Sequence, residues 1–409
     1  SKTRLIPASL QGIRIGSMTR VYFDNAATTP LSGVALAAFT EQAREVGNPS
    51  SLHAFGRSVR KELENARESI ATVLGCHSSE VIFTGSGTEA DNLAIKGIFW
   101  HRRNQDRRRN ILVISAIEHH AVLDPARWLA EFDGAELIEV PVNSEGFVNI
   151  DFLSELVAKR GDEIALISVM HSNNEIGTLQ PIREIVGIAD TKGIPVHTDA
   201  IQSLGKVALS FSDLGVFALS ISAHKVGGPV GVGALILRKG IEITPLLHGG
   251  GQERDIRSGT FNAAGIVSFA AAVQSAERDR EKSAAHLTKI RQALIDVVKR
   301  TIPGAWINGV DDARTLPSIV NIGFPNTESD SLLLLFDNEG IACSTGSACS
   351  AGVQQPSHVL LALGKSEREA RSSLRFSFGP QNSDGDIDYF QTCLGRVIDR
   401  AQAAYKASA

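Results

Sequence analysis

Apolar residues along this chain follow two periods. Val59, Leu63, Ala66, Ile70 and Val73 step by three and four, the spacing of an amphipathic helix. Short apolar runs at 81–83, 111–115, 164–170, 195–198, 218–222 and 233–237 have the length of strands. Most are apolar at both alternating sets of positions, as a strand covered on both faces requires. Helical patterns separate several of them, which predicts an open, mainly parallel α/β sheet. From about 270 to 300 one long helical stretch runs toward Pro303-Gly304 and predicts a bridge between domains. Beyond it a strand (318–324), a helix (329–338), a loop, a strand (374–378) and a final helix predict a smaller α/β domain, and no internal repeat is visible. The expected organisation is a leader or tag over 1–20, a large domain over 21–275 whose first residues can pack on the small one, and a small C-terminal domain over 276–409.

Composition narrows the function classes. With 41 basic and 45 acidic residues the net charge is −4, so no global field holds nucleic acid or an anionic membrane. The longest apolar run, around 332–336, is far too short to span a bilayer. Four cysteines in 409 residues, with no CxxC, exclude a disulfide framework and point to a reducing compartment. Residues 1–17 are basic and acid-free but lack the apolar core of a secretory signal. They read as a leader ahead of Met18, with a remnant of an organelle transit segment as the alternative. The run 101–110, with five arginines beside Asp106, reads as a solvated surface turn.

Ligands of open α/β sheets bind beyond the carboxyl ends of the strands. The segments just past the predicted strands are polar here: Thr84-Gly-Ser-Gly-Thr-Glu89, Glu118-His119-His120, His171-Ser-Asn-Asn-Glu175, Asp199-Ala-Ile-Gln202 and Ser222-Ala-His224-Lys225. Gly85-Ser-Gly87-Thr-Glu-Ala90 matches GxGxxG/A between a strand and a helix. The acidic residue that a dinucleotide fingerprint needs about 20 positions on, at a strand end, is lacking. A single phosphate on the helix N-terminus fits better. Leu363-Gly-Lys-Ser366 lacks the first glycine of a P-loop, since position 359 is Val359. His119 and His120 are adjacent, so their side chains diverge, and no HExxH is present.

Lys225 comes after an apolar strand and precedes Gly227-Gly228-Pro229. Such a lysine ordinarily snorkels or pairs with a carboxylate. In a partly desolvated site its pKa falls and it can form a Schiff base. With Asp199 and a phosphate turn on the same edge, the combination suits pyridoxal 5'-phosphate: lysine for the aldehyde, helix N-terminus for the phosphate, carboxylate for the pyridine nitrogen. Cys349 lies in Cys343-Ser-Thr-Gly-Ser-Ala-Cys-Ser-Ala-Gly352, among small residues typical of a mobile loop. Cys76 and Cys393 fall in or beside helical patterns and read as small core hydrophobes, as Cys343 does to a lesser degree.

With these residues in hand, the chain resembles the NifS/IscS-type cysteine desulfurases, in the class V branch of fold-type I pyridoxal-phosphate enzymes. The resemblance covers about 21–400. It rests on Tyr22-Phe-Asp-Asn-Ala-Ala-Thr-Thr29, Gly47-Asn-Pro-Ser-Ser51, Glu118-His119, Asn173-Asn-Glu-Ile-Gly177, Asp199-Ala-Ile-Gln202, Ser222-Ala-His-Lys225, Arg257-Ser-Gly-Thr260 and Ser347-Ala-Cys349, all in the family's order. It implies a large domain with a mainly parallel, helix-covered sheet and a smaller C-terminal α/β domain carrying the cysteine loop. It implies that Lys225 carries the cofactor and that His119 stacks on its ring and takes part in catalysis. Asp199 would bond the ring nitrogen, with Asn174 and Gln202 near the substrate carboxylate and the phenolic oxygen. Gly87, Thr88, Ser222 and His224 would hold the phosphate, joined by Thr260 of a second subunit. Arg375 would pair with the substrate carboxylate, and Cys349 would be the nucleophile.

The implied reaction takes sulfur from L-cysteine, leaving L-alanine and a persulfide on Cys349 that passes to an acceptor such as an iron–sulfur scaffold or a thiolation enzyme. Because a free thiol with a pKa of about 8.5 is mostly protonated at neutral pH, a nearby imidazole such as His119 is expected to assist. A homodimer is implied, without membrane, metal or direct nucleic-acid partner. The compartment is cytoplasmic, or mitochondrial if the leader is a transit remnant. The leader, the arginine-rich insert and Cys343 depart from the family's motifs, and Cys343 leaves open a disulfide or a second sulfur acceptor. A selenocysteine lyase, another class V lyase or aminotransferase, and a sulfur-relay scaffold are the competing readings.

Overall fold

The computed structural model describes residues 20–346 and 355–408. The first half runs β1 (Val21–Tyr22), α1 (Gly33–Gln42), α2 (Ala54–Leu74), β2 (Val81–Thr84), α3 (Gly87–Gln105), β3 (Ile111–Ser115), α4 (His120–Asp133), β4 (Glu136–Val140) and α5 (Ile150–Arg160). It continues through β5 (Ile164–Ser168), α6 (Ile182–Asp190), β6 (Val196–Asp199), α7 (Phe211–Leu214), β7 (Ala218–Ser222), β8 (Gly233–Leu237), α8 (Ala263–Arg278) and α9 (Arg280–Thr301). The last part holds β9 (Trp306–Asn308), β10 (Ile319–Gly323), α10 (Ser329–Asn338), β11 (Ile341–Ala342), α11 (His358–Ala362), α12 (Glu367–Arg371), β12 (Ser373–Ser377) and α13 (Asp384–Ser408).

Seven strands form the main sheet in the order β2-β8-β7-β6-β5-β3-β4. Only β8 runs against its neighbours, β2 and β7. The carboxyl ends of β2, β3, β5, β6 and β7 therefore share one edge, and the five polar segments emerge there. Strands β2, β3, β5, β6, β7 and β8 are buried along their whole length, which is why they read as unbroken apolar runs. β4 was not expected from the sequence. It is an edge strand in which Glu136 and Glu139 face solvent, so it fails the test of being apolar on both faces.

The expected single helix over 270–300 is two. α8 starts earlier, behind the N-cap Asn262, and ends at Asp279, whose backbone N–H bonds back to Ser275 and Glu277; α9 starts at the next residue. Hydrophobic spacing survives a one-residue break, so periodicity cannot show it. α8 packs on α1 and α2. Leu287, Ile290, Leu294 and Val298 of α9 lie instead in a second core with β10, β12 and α13. Val21 and Phe23 also belong to this core, because β1 pairs in parallel with β11.

The arginine-rich run is also not a simple solvated turn. Its first half is the last turns of α3, and Arg103 binds Asp133 at 2.8 Å with only 16% of its side chain exposed. Arg109 donates to the Ile164 carbonyl at 3.0 Å. Arg107 and Arg108, in the turn after α3, fit the expectation: both are exposed, the Arg108 side chain at 77%. Among the described residues no helix is long and apolar enough to cross a membrane.

Candidate active site

The polar strand ends close on a cavity of about 380 Å³, in the size range of a small-molecule site. Its wall includes Gly87, Thr88, His119, Asn174, Asp199, Gln202, Ser222, His224 and Lys225 from the large domain, with Ser344, Gly346, His358 and Arg375 from the other side.

The glycine turn is built to let something approach. Ser86 caps α3 by accepting from the Glu89 N–H at 3.0 Å, and Glu89 reaches back to the Gly85 N–H at 2.6 Å. A side chain at Gly87 would crowd the turn, since a Cβ would stand 2.4 Å from the Ile201 side-chain tip, which would have to shift, and 3.0 Å from Ser222. Gly233 is constrained too, as its Cβ would meet the Ser86–Gly87 backbone at 2.6 Å. The start of α3 is thus packed tightly on β8, and its free N–H groups line the cavity, a ready anion cradle.

Lys225 lies just beyond β7 and donates to the carbonyls of Ala26 and Ala27 at 2.5 and 2.6 Å. Desolvation, helped by the Arg375 cation, lowers its pKa to about 8, so a share of the amine is uncharged near neutral pH. His119 caps α4: its Nδ1 accepts from the Ala121 N–H at 3.0 Å, which puts the proton of the neutral ring on Nε2. The walls of the cleft and then the Lys225 charge press its pKa to about 4, so the ring is neutral at physiological pH.

Asp199 ends β6, buried, and accepts from the Ile201 N–H at 2.9 Å. Burial lifts its pKa to about 6, opposed by that N–H and by Lys225. Gln202 donates to the Ala26 carbonyl at 2.9 Å and accepts from Lys206 at 3.2 Å. His224 holds Thr28 at 3.1 Å, and desolvation lowers its pKa to about 4.

Arg375, on β12 and buried, donates to Asp24 at 2.8 Å and to the Asn174 carbonyl at 3.0 Å. Among the described residues its Nε has no hydrogen-bond partner. Thr260 is exposed and does not line this cavity. Cys349 falls outside the described residues, but both roots of its segment are held at the site. Ser344 and Arg375 exchange backbone hydrogen bonds of 3.1 and 2.6 Å, and Ser357 donates to buried Glu175 at 2.5 Å. Burial raises the thiol pKa of Cys343 above the usual range, which keeps it protonated and unreactive. Burial likewise pushes Cys76 up to about 12.

Several groups at the site had no role assigned from the sequence. Asp24 sits inside the first of the family motifs but reaches Arg375 only through the fold. His197 stands two residues before Asp199, a spacing that puts both on one face of β6. Lys206 lies four residues after Gln202, and burial presses its pKa to about 7.

The set meets the demands of pyridoxal phosphate: an anion cradle free of side chains, a partly neutral lysine, a buried carboxyl and a flat neutral imidazole around one cavity. The Aminotransferase class-V family matches residues 21–390. The chain belongs to this family, in its NifS/IscS cysteine desulfurase branch. An IscS-like cysteine desulfurase of Mycobacterium tuberculosis is 47% identical over 95% of this chain and 98% of its own length. Among solved structures, a NifS-like protein superposes with a TM-score of 0.86 at 36% identity, covering 93% of this chain and all (100%) of that one. SspA in complex with cysteine gives a TM-score of 0.76 at 34% identity over 88% and 99% of the two chains. The activity is therefore that of a cysteine desulfurase, removal of the sulfur atom of cysteine.

Proposed function

We propose that this desulfurase works with pyridoxal 5'-phosphate held by Lys225 and passes the sulfur of L-cysteine to Cys349 as a persulfide. The observation that carries the reading is that Lys225, Asp199, His119, Arg375 and the start of α3 all line one cavity. When bound, the cofactor supplies an electron sink for the substrate's α-carbon. The N–H groups at Gly87 and Thr88, with Ser222 and His224, would hold the phosphate. Asp199 would pair with the ring nitrogen and favour its protonated form.

Lys225 holds and moves the proton at the substrate's α-carbon; its lowered pKa makes it a competent base. Arg375 binds the substrate carboxylate through the fork edge that includes its unpartnered Nε. Neutral His119, with its Nε2–H, serves the sulfur as proton donor or acceptor. Cys349 lies three residues after Gly346, a reach of about 10 Å for extended chain, so it can meet a substrate held in the cavity. The thiolate attacks the substrate sulfur, the S–Cβ bond breaks, and protonation of the remaining carbon chain yields alanine.

The exposure of Thr260 agrees with a role toward a second copy of the chain. A homodimer also accounts for the exposed apolar side chains Val46, Leu52 and Phe55 within one short stretch. The acceptor is a thiol-bearing or cluster-building protein, and the near-neutral charge and reduced cysteines fit a cytoplasmic setting.

The test sets wild type beside Cys349→Ser with L-cysteine, monitoring the visible band of lysine-bound cofactor, sulfide released under a reductant, and alanine. Wild type should give equal alanine and sulfide, while the variant keeps the band and releases neither. Normal turnover by the variant would refute the persulfide step, and a wild type with no visible band would refute the cofactor.

A further inference from the structure

Three carboxyl side chains lie buried together beneath the cavity: Asp91 from α3, Glu118 from the turn after β3, and Asp199 from β6. Asp91 and Glu118 are wholly excluded from solvent (both 0% exposed). Hydrogen-bond donors are divided unequally among the three. Asp199 receives the Ile201 N–H at 2.9 Å. Glu118 receives the Met170 N–H and the Ser115 hydroxyl at 2.8 and 2.5 Å, both on Oε1. Among the described residues neither oxygen of Asp91 makes a full hydrogen bond, and the Ser220 hydroxyl pulls on it only weakly.

A buried carboxylate without donors is the costly form, whereas the neutral acid needs only an acceptor. The Ser220 hydroxyl can serve as that acceptor. The His197 ring packs alongside, its Nε2 3.6 Å from Asp91 Oδ1. The ring is fixed between the Ser168 hydroxyl, 2.8 Å from Nδ1, and the Ser220 hydroxyl, 2.9 Å from Nε2. Since side chains alternate along a strand, His197 and Asp199 share the face of β6 that meets α3. Among the elements packed against α3, β5 offers Ser168, β6 His197 and Asp199, and β7 Ser220, while the turn after β3 adds Glu118. Lys225 is the cation that faces Asp199.

We propose that Asp91 is a positioning residue held as the neutral acid, which fixes the His197 ring behind Asp199 and leaves the negative charge of the cluster on Asp199. Burial, and then the charge of Asp199, push the Asp91 carboxyl well above its ordinary range against a weaker pull from the Ser220 hydroxyl, while burial presses His197 down to about 3. Two buried acids that stay neutral keep the site from carrying three repelling charges. Asp199 alone, opposite Lys225, remains able to pair with a protonated ring nitrogen. That last step rests on the pyridoxal-phosphate reading, but the protonation of Asp91 does not.

Infrared spectra of the cofactor-free protein test the protonation directly. Subtracting Asp91→Asn from wild type at neutral pH should reveal one lost protonated-carboxyl C=O band. Pyridoxal phosphate binding and the pH midpoint of its visible band test the positioning. Asp91→Leu should weaken binding roughly tenfold and shift the midpoint, while Asp91→Asn, neutral and of the same shape, restores both. A lost carboxylate band in place of the acid band overturns the proposal, as does wild-type binding by Asp91→Leu. If wild type itself forms no visible band, the cofactor reading fails and takes the Asp199 half with it. The infrared difference still decides the state of Asp91.

Discussion

Two sets of buried carboxyl groups in the large domain are treated in opposite ways. Glu253 meets Arg67 in a two-pronged pair at 3.0 and 3.1 Å and also receives the Phe83 N–H at 3.2 Å. Arg67 additionally donates to the Val81 carbonyl at 2.6 Å and lies over the Phe83 ring. Burial raises the Glu253 carboxyl, and the Arg67 charge pulls it back. Asp91, Glu118 and Asp199 have no such cation among them; they face one another, with Lys225 near only the last. One set is complete in itself and ties α2 to β2 and to the loop before α8. The other has its charges balanced only against protons and a ligand. The difference separates a charge that holds the fold from charges kept adjustable for chemistry.

The largest expected effect is Lys225→Ala, since it removes the one cation facing Asp199: turnover should fall roughly a thousandfold or more, with loss of the visible cofactor band. Retained turnover would mean that Lys225 is not the reactive amine. Next is Arg67→Ala, which strands Glu253 in the interior and should cost about 3–5 kcal/mol in urea unfolding. A loss below about 1 kcal/mol would put the two sets on the same footing.

Arg375 is an intermediate case, paired with Asp24 yet with Nε unused. Arg375→Lys keeps the charge but not the fork, so the KM for cysteine should rise about tenfold with a smaller change in kcat. The last effect is gradual in pH and concerns Glu118, whose pKa burial lifts from 4.5 to about 8. Between these values the native state holds a proton that the unfolded chain has released. Stability of the cofactor-free protein should therefore fall as pH rises across that window, by at most about 1.4 kcal/mol per pH unit for this one group. Glu118→Gln should flatten that slope; an unchanged slope would show that Glu118 is ionised in the fold.

Much of the site was legible because sheet topology is simple to read. Thr84, Glu118, Asp199 and Lys225 each come at or just after a continuous apolar run, and a parallel sheet delivers such positions to one edge whatever the details between them. β4 was hidden because an edge strand carries charges on its open face, and the break at Asp279 because two helices in succession keep one periodicity. Asp91 was hidden for a different reason. Nothing local distinguishes a buried acid on a helix from the many acids on helix surfaces.

Order along the chain was enough for the alternation of strand and helix, the polar edge, the lysine and glycine turn that suit a phosphate-bearing aldehyde, and the family. Those are properties of order and spacing, which a linear chain carries in full. Which charges meet follows from packing. It set Arg375 against Asp24 across 351 positions and Ser357 against Glu175 across 182. It also left Asp91 without a full hydrogen bond behind Asp199. Burial and the distance between groups remote in sequence fix protonation, and both come into being only when the layers pack.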